Sequence, residues 1–180
     1  MYARADKKPR RQEKKMTKNV KPVPEGYHTI TPSLVIKDGA RAIEFYKKAF
    51  GAKEIYHMDS PDGTLMHAEL QIGDSRIMLG SEPGDHPGHD ENCAKTPAEL
   101  KGTSSTFYLY VEDADAMFKR AVSAGAKDTM PMTDMFWGDR LGGVRDPFGY
   151  IWSIATHTKN VTPEQMKEGA REFFAKAGAR

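Results

Sequence analysis

His67 and Glu69, in the run Met66-His67-Ala68-Glu69, are of the types that move protons or hold cations. In an extended strand, residues two apart share a face, so the imidazole and the carboxylate would stand together as an acid–base pair. An outward-looking face would instead make them a solvated pair, or leave the histidine satisfied by a local hydrogen bond. The segment Phe136-Trp137-Gly138-Asp139-Arg140 offers a second set. An indole face receives planar or cationic groups, and a guanidinium is a forked donor for carboxylate or phosphonate. In the catalytic reading His67 and Glu69 exchange the proton while Arg140 stabilises developing negative charge. The competing reading has Trp137 filling the core and Arg140 paired with Asp139 or Asp146. Asp85-His86-Pro87-Gly88-His89-Asp90 has metal-binding residue types without matching partners elsewhere, which predicts adventitious binding only. His28 and His157 are expected to be structural, the latter ending a strand.

These residues need a scaffold, and an internal repeat supplies one. Residues 31–54 align with residues 106–128: Thr31 meets Thr106, Leu34 meets Leu109 and Asp38 meets Asp113, at an offset of 75. One residue is lost in the next segment, so Gly51 meets Gly125 at an offset of 74. Leu34, Val35 and Ile36, like Leu109, Tyr110 and Val111, have the composition of a buried strand. Asp38 and Asp113 are placed to cap the helices that follow. Ala42, Ile43, Tyr46, Ala49 and Phe50 form one apolar stripe at helical spacing, as do Met117, Phe118, Ala121 and Val122. Gly51 and Gly125 supply the left-handed residue that ends each helix. Strands are expected over 54–58, 64–72 and 75–80, and again over 128–132, 140–145 and 150–156, with turns at Pro61-Asp62-Gly63, Gly73-Asp74-Ser75 and Asp146-Pro147-Phe148-Gly149. Each copy is thus a βαβββ module. Tyr108, Tyr110 and Trp152 alternate with residues of the opposite faces, and Trp152 and Ser153 must point oppositely. Thr162, Pro163 and Gln165 form a capping box that opens a C-terminal helix with an apolar stripe of Met166, Ala170, Phe173 and Phe174.

The 180 residues are 38% hydrophobic and 29% charged, ordinary values for a globular chain. No run approaches the roughly 20 apolar residues of a membrane span, and no secretory signal is expected. The single cysteine, Cys93, cannot form an intrachain disulfide, which points to a cytoplasmic setting. The net charge of +2 conceals a basic tail: residues 1–21 hold nine Lys or Arg against Asp6 and Glu13, leaving an acidic body. Without apolar periodicity the tail is expected to be disordered. Nucleic-acid association through it is the distant alternative, since the acidic body offers no basic stripe. A start at Met16 would make residues 1–15 a mere extension.

The runs ITPSLVIKDGARAIEFYKKAFGAKE, MHAELQIGDSRIML, FYLYVEDADAMFKRAVSAGA, FWGDR and VRDPFGYIWSIATH resemble the vicinal oxygen chelate superfamily of glyoxalases, bleomycin-resistance proteins and dioxygenases, and within it the PhnB-like subgroup. The resemblance covers residues 22–165. It implies an α+β fold of paired βαβββ modules forming a curled, mixed eight-stranded sheet around a cavity, with the C-terminal helix added. The expected organisation is a tail at 1–21, a domain at 22–160 built from modules 28–82 and 103–158 with linker 81–104, and a helix at 161–180.

The resemblance also implies where a metal would sit. In metal-dependent relatives one ligand lies seven residues before each helix-capping Asp, at Thr31 and Thr106 here. Another lies seven residues after the Asp of the Asp-Pro-x-Gly turn, at Ser153, with Leu79 as its counterpart at an offset of 74. Zinc or nickel needs imidazoles or carboxylates at these places, so no cofactor is assigned from them, and a divalent metal stays open as the alternative. The implied function is binding of a small polar organic molecule between the modules, with Thr31, Thr106, Tyr108, Trp137, Asp139, Arg140 and Ser153 as binding residues and a homodimer as the assembly. The alternative is a metal-dependent lyase or isomerase, or a thiol transferase, of the same superfamily.

Overall fold

The computed structural model describes residues 20–81 and 94–178; most of the basic tail, the Asp85–Asp90 cluster and Cys93 lie outside them. The first module runs β1 (Ser33–Val35), α1 (Gly39–Phe50), β2 (Lys53–Asp59), β3 (Leu65–Ile72) and β4 (Ser75–Gly80). A short helix α2 (Pro97–Leu100) precedes the second, β5 (Thr106–Tyr110), α3 (Ala114–Ser123), β6 (Lys127–Asp134), β7 (Asp139–Arg145) and β8 (Ile151–His157). Helix α4 (Pro163–Gly178) closes the chain. None of the described helices is long and apolar enough to cross a membrane.

The local signals act as their chemistry dictates. Asp38 caps α1 through the Arg41 N–H at 3.1 Å, and Asp113 caps α3 through the Ala116 N–H at 2.9 Å. Gly51 ends α1 at φ 68°, a conformation that favours glycine. Thr162 and Gln165 exchange their capping bonds at the start of α4, which rests against Phe136 through Phe173 at a ring separation of 5.7 Å.

The eight strands divide into two mixed four-stranded sheets, ordered β1-β4-β3-β2 and β5-β8-β7-β6. The sheets do not pair edge to edge at β1, because the free edge of that strand is taken by a side chain. The Tyr150 hydroxyl accepts from the Val35 N–H at 2.9 Å and donates to the Val35 carbonyl at 3.1 Å. Helices α1 and α3 pack together and cover one face of the sheets. Leu34, Tyr46, Leu70, Leu79, Trp152 and Ile154 fill the core there. One buried carboxylate joins the modules: Asp146 accepts from the Tyr46 hydroxyl (2.8 Å), the Trp152 indole (3.0 Å) and the backbone N–H groups of Phe148 and Tyr150 (2.9 Å each). The opposite faces stay open and carry the polar side chains.

Candidate functional site

Strand alternation sorts the candidates. On β3, Ala68, Leu70 and Ile72 are buried under the helices, so His67 and Glu69 share the open face. They touch there, with His67 Nε2 3.3 Å from Glu69 Oε1. Arg76 Nη1 lies 3.4 Å from Glu69 Oε2, and its guanidinium stacks 4.5 Å from the Tyr27 ring centre. The Tyr27 hydroxyl holds the Glu69 carboxyl below the usual glutamate range, against the cost of burial and helped by His67. Thr31 joins Tyr27, Glu69 and Met78 around a cleft of about 510 Å³. Its hydroxyl donates to the His28 carbonyl at 3.3 Å.

The second sheet builds a tighter cluster. Phe107, Leu109, Trp152 and Ile154 point to the helices, so Tyr108, Tyr110, Ser153, Asp139 and His157 take the open face. Gly138 turns the chain into β7 at φ 98°; a Cβ there would fall 2.1 Å from the Lys159 carbonyl oxygen, so only glycine fits. This turn sets Trp137 beside Asp139. Asp139 is only 3% exposed and accepts four bonds. Its Oδ2 receives the Tyr110 hydroxyl (2.9 Å), the Trp137 indole (3.0 Å) and the Tyr108 hydroxyl (3.3 Å). Its Oδ1 faces His157 Nδ1 at 2.8 Å, and His157 Nε2 faces Asn160 Oδ1 at 2.9 Å.

Burial works against the charge of Asp139, but the bonds from His157, Tyr110 and Trp137 outweigh it and hold the carboxyl below the ordinary aspartate range. The same contact pushes the Tyr110 phenol up to about 12. Asn160 and then Asp139 raise His157 above the usual histidine value.

Arg140 does not join either cluster. Adjacent to Asp139 on β7, it must point the other way, and it grips Asp115 of α3 with Nε and Nη2 at 2.9 Å each. Asp134 lies 3.5 Å from Nη1. Its partners are therefore Asp115 and Asp134, in place of Asp139 or Asp146. The fork is filled on the helix-covered side, away from the face that carries His67 and Glu69.

The register corrects one metal-site position as well. Leu34 pairs with Leu79 and Leu109 with Ile154, so β4 and β8 correspond at an offset of 75. Ser153 therefore matches Met78 and not Leu79, which is fully buried under the helices. The β7–β8 turn is one residue longer than the β3–β4 turn and restores the residue lost earlier.

Thr106 lines a groove along β5 that Tyr108 and Tyr110 also border. The structure brings Tyr108, Trp137 and Asp139 together, and His67, Glu69 and Thr31 together. Tyr27, Arg76, Asn160, Tyr110 and His157 join them without having been singled out as site residues from the sequence. The Tyr108-x-Tyr110 spacing, and a histidine closing the strand beside the one that Asp139 opens, were the available signals.

A family model for the Glyoxalase/Bleomycin resistance protein/Dioxygenase superfamily matches residues 27–154. The chain belongs to this superfamily. An uncharacterized protein of Mycobacterium tuberculosis is 41% identical over 138 residues, covering 77% of this chain and 79% of that protein. Among solved structures, the Arabidopsis thaliana At5g48480 gene product is 28% identical at a TM-score of 0.54, covering 73% of this chain and 98% of the other. TioX from Micromonospora sp. ML1 is 24% identical at a TM-score of 0.56, covering 75% and 100%.

Membership raises the question of the metal that the superfamily's glyoxalases carry. The four corresponding positions hold Thr31, Met78, Thr106 and Ser153, three neutral hydroxyls and a thioether. Hard or borderline divalent ions want carboxylate or imidazole donors, so this set does not fit them. Among the described residues no group of three or more His, Cys, Asp or Glu is arranged to hold an ion.

Proposed function

We propose that this superfamily member binds a small polar organic molecule between its βαβββ modules, against the open sheet faces, by hydrogen bonds and aromatic contact and without a metal. The observation that carries this reading is the saturation of both open-face carboxylates. Asp139 has four donors, and Glu69 interacts with Tyr27, His67 and Arg76. A carboxylate held ionised in this way is a poor general base, because taking a proton means giving up those bonds. It is well suited to fix the rings and the imidazole around it, the preorganisation that binding sites need. Tyr108, Tyr110 and Trp137 then offer aromatic faces, while His67 and His157 offer polar ones.

The runs quoted for the PhnB-like subgroup support a place within it. A homodimer is part of the proposal: half-exposed Tyr56 and Met58 stand directly across from Glu69 and His67 on β2, an apolar surface that a second copy would cover.

The test is a thermal-shift screen of aldehydes, thiol adducts, phosphonates and glycopeptide antibiotics in the presence of EDTA. A ligand at one hundred times its Kd is expected to raise the unfolding midpoint by about 5–10 °C. A shift that appears only when zinc, nickel or manganese is added would overturn the metal-free reading.

A further inference from the structure

The repeat is not symmetric at its strand edges. In parallel pairing, alternate residues of an edge strand turn their N–H and C=O groups outward. Ile36 and Val111 donate inward to Gly80 and Ala155 of the neighbouring strands, so Val35 and its counterpart Tyr110 both face outward. At Val35 the Tyr150 phenol satisfies both groups at once, and its ring lies 5.9 Å from Phe107. The residue matching Tyr150 is Ser75: Ile72 pairs with Ser75 across the β3–β4 turn as Asp146 bonds Tyr150 across the β7–β8 turn. Ser75 is too small to repeat the bridge, and its hydroxyl is bonded to Asp74 at 2.9 Å. Among the described residues nothing bonds the Tyr110 N–H or carbonyl.

What stands there is a groove of about 750 Å³. Its walls include Phe50, Phe107, Trp152 and Met117, with Ser75 and Arg76 opposite. The volume is that of a small-molecule site and exceeds a single ring.

We infer that this groove is a binding site for a hydroxyarene, a small aromatic molecule whose hydroxyl accepts from the Tyr110 N–H and donates to its carbonyl as Tyr150 does at Val35. A single hydroxyl that must do both selects a phenol over an ether, which accepts but cannot donate. The aromatic body is held by the apolar walls. This site lies at the β5 edge and uses the backbone of Tyr110; Arg76, Tyr108 and Tyr110 border it as well as the clusters of Glu69 and Asp139.

The test compares 4-methylphenol with 4-methylanisole by calorimetric titration of the full-length protein, with the backbone amide of Tyr110 followed by NMR. The phenol is expected to bind about tenfold more tightly, the worth of one hydrogen bond, and to shift that amide. Ser75→Tyr is expected to fill the groove, abolish phenol binding and raise the unfolding midpoint. Equal affinity for the two probes, no binding of the phenol, or binding that leaves the Tyr110 amide unmoved would each overturn the assignment. So would phenol affinity that falls as the protein self-associates, which would give the groove to a second copy. The wild-type comparison decides the matter even where Ser75→Tyr does not fold.

Discussion

Asp146→Ala is expected to lower stability by about 3–5 kcal/mol, the combined cost of the side-chain and backbone donors it leaves without a partner. The carboxylate is 4% exposed and serves four donors drawn from both modules. Its loss strands the Trp152 indole N–H and the Tyr46 hydroxyl in the core, and each buried orphan costs about 1–3 kcal/mol. It also releases the two backbone bonds that shape the turn before β8. Asp146→Asn keeps an acceptor and is expected to cost about half as much. Urea unfolding at pH 7 measures both. Burial raises the Asp146 carboxyl above the ordinary aspartate value near 3.8. The folded state therefore holds this proton more tightly than the unfolded chain, and wild-type stability declines as pH climbs from 3.8 through the raised value. Asp146→Asn should lack that slope. A cost for Asp146→Ala under about 1 kcal/mol would show that the donors find other partners.

Asp139→Ala is the second large effect, and it falls on binding more than on folding. Tyr108 and Tyr110 are about half exposed, so their hydroxyls can turn to water when the carboxylate goes. The expected loss of stability is about 1–3 kcal/mol, chiefly from the half-buried Trp137 indole left without its acceptor. Ligand affinity is expected to drop at least tenfold, because two tyrosines, an indole and an imidazole lose the group that orients them. Thermal-shift titration with a ligand from the screen measures it. The native carboxyl lies below its ordinary value, so its stabilisation is present above pH 3.8 and is lost as pH falls through the folded value. The gap between wild type and variant should accordingly close in acid. His157, raised by Asn160 and by Asp139, should titrate lower in the variant, as followed by NMR. Arg140→Gln is the contrast: its side chain is engaged by Asp115 on the other face, and ligand affinity should stay within twofold. Unchanged affinity in Asp139→Ala would remove this cluster from the site.

Much of the fold was legible because the chain states it twice. Strand composition around Leu34 and Leu109, the capping Asp38 and Asp113, and the apolar stripes of α1 and α3 are local signals that tertiary packing then agrees with. What failed was bookkeeping of one residue. The missing residue before Gly125 is given back in the Asp146–Tyr150 turn, so a single offset cannot carry through β8, and a one-residue slip exchanges Met78 for Leu79 and one face for the other. The placement of Arg140 was illegible for a related reason. Trp137, Asp139 and Arg140 are neighbours in sequence, but alternation puts Asp139 on the open face and Arg140 under α3, and the partner Asp115 is visible only once α3 is docked. Tyr27 and His157 came into view only when segments distant in sequence met Glu69 and Asp139.

Whether the cavity works without an ion is decided by the metal content of protein purified without a histidine tag, measured by inductively coupled plasma mass spectrometry. With Thr31, Met78, Thr106 and Ser153 at the superfamily's ligand positions, zinc, nickel, manganese and iron should each fall far below one equivalent per chain. One equivalent of any of them, retained through dialysis, would mean that the chain holds a metal through other residues.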